Sequence, residues 1–155
     1  MQIIKDYKSN KILRKKSLPV EHIDNQIKTI IKEMRQLMNL ENGVGLAAPQ
    51  VGLNQRFFVV ELDNKYYVFI NPQILQYSKE LVDMEEGCLS IPDQAGVVAR
   101  PAELVIEAYG TNEKKFKLKA KGVLARVIQH ENDHLDGILF IDKAKSLRPK
   151  NSNNY

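Results

Sequence analysis

The chain has 155 residues, 43% apolar and 27% charged, with a net charge of +4 and a single cysteine. That length suits one domain with its own core, and the composition is that of a globular protein. No apolar run is long enough to span a bilayer, none follows the basic N-terminus as a signal peptide requires, and one cysteine makes no intrachain disulfide. The expected compartment is the cytoplasm, or an organelle if a transit peptide has been removed.

The charge is uneven. Residues 1–20 carry +5 and residues 143–155 carry +4, which leaves the body at −5. Basic ends can touch RNA. Plain solvation is the simpler account, since the basic ends show no interleaved aromatic pattern.

In chain order, residues 3–20 read as an irregular arm ending at Pro19. Residues 21–39 then place Ile23, Ile27, Ile30, Met34 and Leu37 at three- and four-residue steps, the pattern of an amphipathic helix. Asn42-Gly43 breaks it. RFFVVEL (56–62) and KYYVFI (65–70) are β-branched and aromatic, with Asp63-Asn64 as the turn between them. Asn71-Pro72 should stop the second strand. Further strands are expected at 96–100, 103–109 and 114–118, with Thr111-Asn112 turning between the last two. Residues 120–135 read as a second helix, mostly buried, with Gly137 as its stop. The tail SLRPKNSNNY is polar and should be mostly disordered.

Three stretches carry chemistry. In QHENDHLDG (129–137), His130 and His134 stand at i and i+4, so both imidazoles project from one helix face and can bind one ion. Glu131 can reach a water on that ion. This is the H-E-x-x-H arrangement of metal hydrolases, with glutamate as general base. Two histidines and a glutamate on a core-facing helix are costly without partners, and a metal is one partner that satisfies them. A catalytic metal of this type wants a third protein ligand and an open position. Cys88, in EEGCLS (85–90), is the only thiol and would be a strong ligand; a buried small hydrophobe is its other reading. GVGLAAPQ (43–50) makes a poor helix and a poor strand, so it reads as a loop whose backbone can approach a ligand, with Gln50 offering an amide donor. Alone, it also fits a plain tight turn.

Together, in this order, GVGLAAPQ, EGCLS and HENDHLDG resemble the three signature motifs of the peptide deformylases, and the resemblance covers roughly residues 3–142. It implies an α+β fold, with antiparallel β-sheets packed around a central helix that carries the H-E-x-x-H motif and with an N-terminal amphipathic helix. Residues 1–142 would form a single catalytic domain, followed by a short basic tail at 143–155. The implied activity is metal-dependent removal of the formyl group from the N-terminal formylmethionine of newly made polypeptides. By motif position, Cys88, His130 and His134 would hold one divalent metal ion per chain, Fe(II) foremost, with Zn, Ni or Co as other occupants. Glu131 would be the general base, and Gln50 and the backbone N–H of Leu89 would stabilise the formyl oxygen. Gly45 would offer backbone hydrogen bonds to an extended peptide. Val44, Met84, Val123, Val127 and the aliphatic stem of Arg126 would wall the methionine pocket. Each of those aliphatic residues, taken alone, also fits a core position.

The implied partners are N-formylmethionyl nascent peptides, with weak ribosomal RNA contact through the basic ends, no DNA and no membrane. The oligomeric state would be monomer or weak dimer. Two departures stand out. Some relatives carry an arginine shortly after the cysteine motif, where this chain reads SIPDQAGVVAR with Ala95. Many bacterial members continue into a long C-terminal helix that docks on the ribosome, and here Pro149 and NSNNY follow instead, so docking by that route is not expected. Two rivals remain at this point. A zinc endopeptidase would share H-E-x-x-H but leave Cys88 and GVGLAAPQ unexplained. A domain that only binds peptide or RNA would not need Glu131, Gln50 and three candidate ligands.

Overall fold

The structure is a computed structural model and describes residues 1–150. Helix α1, Asn25–Leu40, begins where the Asp24 side chain accepts from the Ile27 N–H at 2.9 Å. That cap satisfies an otherwise orphaned donor, so the helix starts later than its apolar spacing suggests. The strands are β1 (Gly45–Ala47), β2 (Phe57–Leu62), β3 (Lys65–Tyr77), β4 (Leu81–Cys88), β5 (Ile91–Pro101), β6 (Glu103–Tyr109), β7 (Lys115–Lys121) and β8 (Ser146–Pro149). Helix α2, Gly122–Leu135, lies between β7 and β8, and Gly137, left-handed at φ 73°, follows its end.

All strand pairings are antiparallel, and they make two sheets. One runs β1-β2-β3-β6-β7 and the other β4-β5-β8. Alternation along β2 explains how the first sheet is covered. Phe57 and Val59 pack with Ile27, Ile31, Met34 and Met38 of α1, whereas Phe58 and Val60 pack with Ala125, Val127, Ile128 and Leu135 of α2. Helix α2 also contacts β5 of the second sheet. The result is an α+β fold with few helices, in which α2 is flanked by both sheets.

Four local expectations need correction. GVGLAAPQ is not a plain loop: Gly45–Ala47 form β1, held by pairing with Val60–Phe58 of β2, and Ala48–Val51 form a 3-10 turn. Asn71-Pro72 does not stop β3, which runs on to Tyr77. The pair is absorbed as an irregularity: Asn71 takes φ 50°, its side chain bonds both Val20 N (2.8 Å) and Val20 O (2.9 Å), and the register shifts between Ile70 and Gln73. Proline is tolerated there because the ladder is already interrupted. The second helix begins at Gly122 rather than 120, because Ala120 and Lys121 finish β7 opposite Leu104 and Glu103. The segment 143–150 of the expected disordered tail is ordered: Ser146–Pro149 pair with Val97–Gln94 of β5, and Arg148 grips Glu85 through Nε and Nη2, each at 2.7 Å. Edge pairing and charge complementarity supply the order that its low hydrophobicity does not. Residues 151–155 of that tail lie outside the described residues. No helix among the described residues is long and apolar enough to cross a membrane.

Candidate metal centre

Strand β4 delivers Cys88 at its last residue, and the following turn places Leu89 and Ser90 before β5. Helix α2 delivers His130 and His134 from one face, their rings 5.0 Å apart at the centroids. The ligand atoms of Cys88, His130 and His134 all lie within 4.8 Å of one another, and all three residues are buried. Cys88 Sγ is 3.3 Å from His134 Nε2.

The orientation of His130 is fixed from behind. Its Nδ1 is 2.8 Å from Glu86 Oε2. Glu86 and Cys88 stand two residues apart on β4, hence on the same face. Burial by itself would raise the Glu86 pKa, but His130 and Arg100 outweigh it and hold the carboxyl well below the usual range. An ionised carboxylate only accepts, so His130 Nδ1–H donates and Nε2 is left for a ligand. Glu86 also accepts from Arg100 Nε (2.6 Å) and Arg126 Nη1 (2.8 Å), and Arg100 continues to Asp133 at 2.8 Å. This buried network of Glu86, Arg100, Arg126 and Asp133 was not singled out from the sequence. Glu86 was discoverable there as the residue two before the cysteine, once 81–88 is read as a strand.

Burial pushes His134 well below its ordinary pKa, keeping a neutral imidazole, the form that ligates. His130 goes the other way. Burial disfavours its cation, yet hydrogen bonds to Cys88 and Glu86 lift it well above the usual value. The site thus favours positive charge at the point where one cysteine sulfur and two ring nitrogens converge. A divalent ion fits that demand and that mixed sulfur and nitrogen donor set.

Glu131 is 4% exposed, and its Oε2 has no hydrogen-bond partner among the described residues. Burial raises its pKa to about 7. Gly45 makes room for it: a Cβ there would lie 2.8 Å from both Cγ and Cδ of Glu131, and closer still to Oε1. Gln50 is locked in place, its Oε1 accepting from Ala47 N at 2.8 Å. Its Nε2 then points at Cys88 Sγ (3.4 Å) and Ser90 Oγ (3.3 Å).

A cavity of about 350 Å³ opens in front of these groups. Every residue that the sequence nominated lines it except His134, which is 1% exposed. Val44, Met84 and Val123 are 45%, 36% and 48% exposed, so they are apolar wall rather than core. Val127 is buried, and the guanidinium of Arg126 is bound to Glu86, Val98 O and Val82 O.

Residues 1–150 match the family model of the polypeptide deformylases. The chain belongs to the polypeptide deformylase family. A peptide deformylase of Picosynechococcus sp. is 43% identical over 145 residues, covering 90% of this chain and 78% of that protein. Peptide deformylase 1 of Clostridium perfringens is 49% identical over 138 residues, 88% of this chain and 93% of its own length. Among solved structures, the peptide deformylase of Thermotoga maritima superposes with a TM-score of 0.90 at 38% identity, covering 94% of this chain and 99% of that one. The Synechococcus elongatus enzyme in complex with actinonin gives 0.89 at 39% identity, with 93% and 79% covered. As a member of the polypeptide deformylase family, this chain is a metal-dependent hydrolase that removes the N-formyl group from nascent peptides.

Proposed function

We propose that residues 1–150 act as one catalytic unit, in the cytoplasm, in which Cys88, His130 and His134 hold the metal ion and Glu131 moves the proton. The observation that supports this most directly is the convergence of those three donor groups within 4.8 Å, beside a buried carboxyl oxygen that has no partner among the described residues. Fe(II) is the proposed native ion, with Zn, Ni or Co able to occupy the same donors. When bound, the ion supplies a Lewis acid that makes a water acidic near neutral pH and polarises the formyl carbonyl.

The residues of the chain do the rest. Val44, Met84, Val123, Val127 and the stem of Arg126 receive the methionine side chain, whose flexible thioether suits an irregular apolar wall. Main-chain groups of Gly45 bind the peptide in extended form, which suits an enzyme that meets many sequences. Glu131 Oε2 accepts a proton from the attacking water; its pKa of about 7 lets it take that proton and release it again at neutral pH. The Gln50 amide N–H and the Leu89 backbone N–H stabilise the negative charge that develops on the formyl oxygen. Glu131 then returns its proton to the departing amine, and formate and a free methionyl terminus leave. Monomer or weak dimer is the proposed assembly, with weak ribosomal RNA contact through the basic ends.

The test is formate release from a formyl-methionyl tripeptide, with protein purified without oxygen and loaded with Fe(II), beside Glu131→Ala. Release by the wild type, lost in a variant that still binds one metal per chain, is the expected result. No release from fully metallated wild type would overturn the assignment.

A further inference from the structure

The lining of the cavity divides by task. Cys88, His130 and Glu131 line one part of it, and the apolar wall takes the methionine. Apart from Gly45, Gln50, Glu86 and Leu89, the lining that remains is Asn42, Gly43, Glu85, Gly87, Pro92 and Lys150, and a peptide that continues past methionine would leave along it. Lys150 is the unexpected member. It comes from just beyond β8, and its backbone N–H donates to Asp93 O at 2.9 Å, which brings it over the β4–β5 turn. A Cβ on Gly87 would lie 3.7 Å from Lys150 Nζ, so the ammonium stands over a stretch of wall that has no side chain of its own.

The charges around that exit leave Lys150 unspent. Arg126 is committed to Glu86 and two carbonyls. Glu85 is held by both nitrogens of the Arg148 fork. Glu86 is buried among Arg100, Arg126 and His130. Asp83 is paired with Lys145 at 2.8 Å. Among the described residues Lys150 pairs with no carboxylate, whereas the acids nearest to it on β4 are already neutralised. Among the described residues the exit therefore presents to a leaving peptide one cation that no carboxylate pairs, its charge acting also on Glu85.

We infer that Lys150 is a specificity-determining residue that favours a carboxylate among the first residues after methionine. This rests on the deformylase reading of the site and adds a preference within it. The pair would be exposed, so its effect on selectivity is modest and screened by salt.

The experiment compares kcat/KM of the metal-loaded full chain on C-terminally amidated formyl-methionyl peptides carrying Glu or Gln at the second or third position. The wild type should prefer Glu at one of these positions by about two- to fivefold at low salt, and about 1 M salt should erase the preference. Lys150→Ala should lose it, Lys150→Arg should keep it, and Lys150→Glu should reverse it. A Gln peptide with a free C-terminus that gains in wild type but not in Lys150→Ala would assign the same contact to a terminal carboxylate. A Glu-to-Gln ratio that is the same in wild type and Lys150→Ala overturns the inference alone. Absence of formate from every peptide overturns the reading beneath it, and the inference with it.

Discussion

Glu86 Oε2 lies 2.8 Å from His130 Nδ1, and the same carboxylate is gripped by Arg100 and Arg126. One buried acid thus orients the His130 imidazole and pairs with two buried arginines. Glu86→Gln keeps the shape but removes the charge. It should lower stability by about 3–5 kcal/mol, since it strands buried cations. Metal affinity should fall about 10–100-fold as the His130 tautomer is released. Thermal unfolding and competition with a chelator check the two effects separately.

Gly45→Ala puts a methyl group into the space that Glu131 occupies. The carboxylate must move, and a displacement of about 1 Å can cost about 10²-fold in rate. The expected outcome is a loss of kcat of that order with metal content unchanged. Metal analysis of the same sample that is assayed distinguishes this from damage to the donors.

Gln50→Ala removes the amide that faces Cys88 and also the acceptor for Ala47 N–H. Activity should fall by about 10²–10³-fold, the usual loss for one oxyanion donor. A parallel loss with Gln50→Glu, which keeps the acceptor but not the amide donor, would place the effect on the donor. Near-normal rates in Gln50→Glu would sink that role.

Away from the site, Arg35 donates to Glu61 through Nε at 2.8 Å and Nη2 at 2.6 Å. These hydrogen bonds, with one from Asn39, hold the Glu61 carboxyl down to about 2. Its folded value is depressed, so its stabilising effect is present above the ordinary carboxylate range and lost as pH falls toward about 2. Wild type should therefore exceed Glu61→Gln in urea midpoint at about pH 6, and the gap should close through the window from about pH 5 to about pH 2. A gap that does not change with pH would show that the pair is not ionic.

What was legible in the sequence was what regular spacing announces. Ile27 and Met34 of α1 recur on the face that packs on β2, and His130, Glu131 and His134 sit on a helix whose neighbours Val127, Ile128 and Leu135 are apolar. Strand β4 was illegible for a physical reason. LVDMEEGC has three acids and a glycine, exposes most of its residues, and is a strand only because β5 pairs with it. With β4 went Glu86, whose place on the face of Cys88 shows only once 81–88 is read as a strand. Strand β8 was missed likewise, since SLRP owes its order to the edge of β5 and to Glu85.

The three donor groups do not come from one part of the fold. Cys88 belongs to the sheet of β4, β5 and β8, while His130 and His134 belong to a helix packed against the five-stranded sheet. An ion held among them is a cross-link between the two halves. Its binding energy is then also folding energy, and each tenfold rise in free ion above the dissociation constant adds about 1.4 kcal/mol to stability. Metal supply would set how much folded enzyme persists as well as how fast it works, so starvation for the ion should show as shortened protein lifetime.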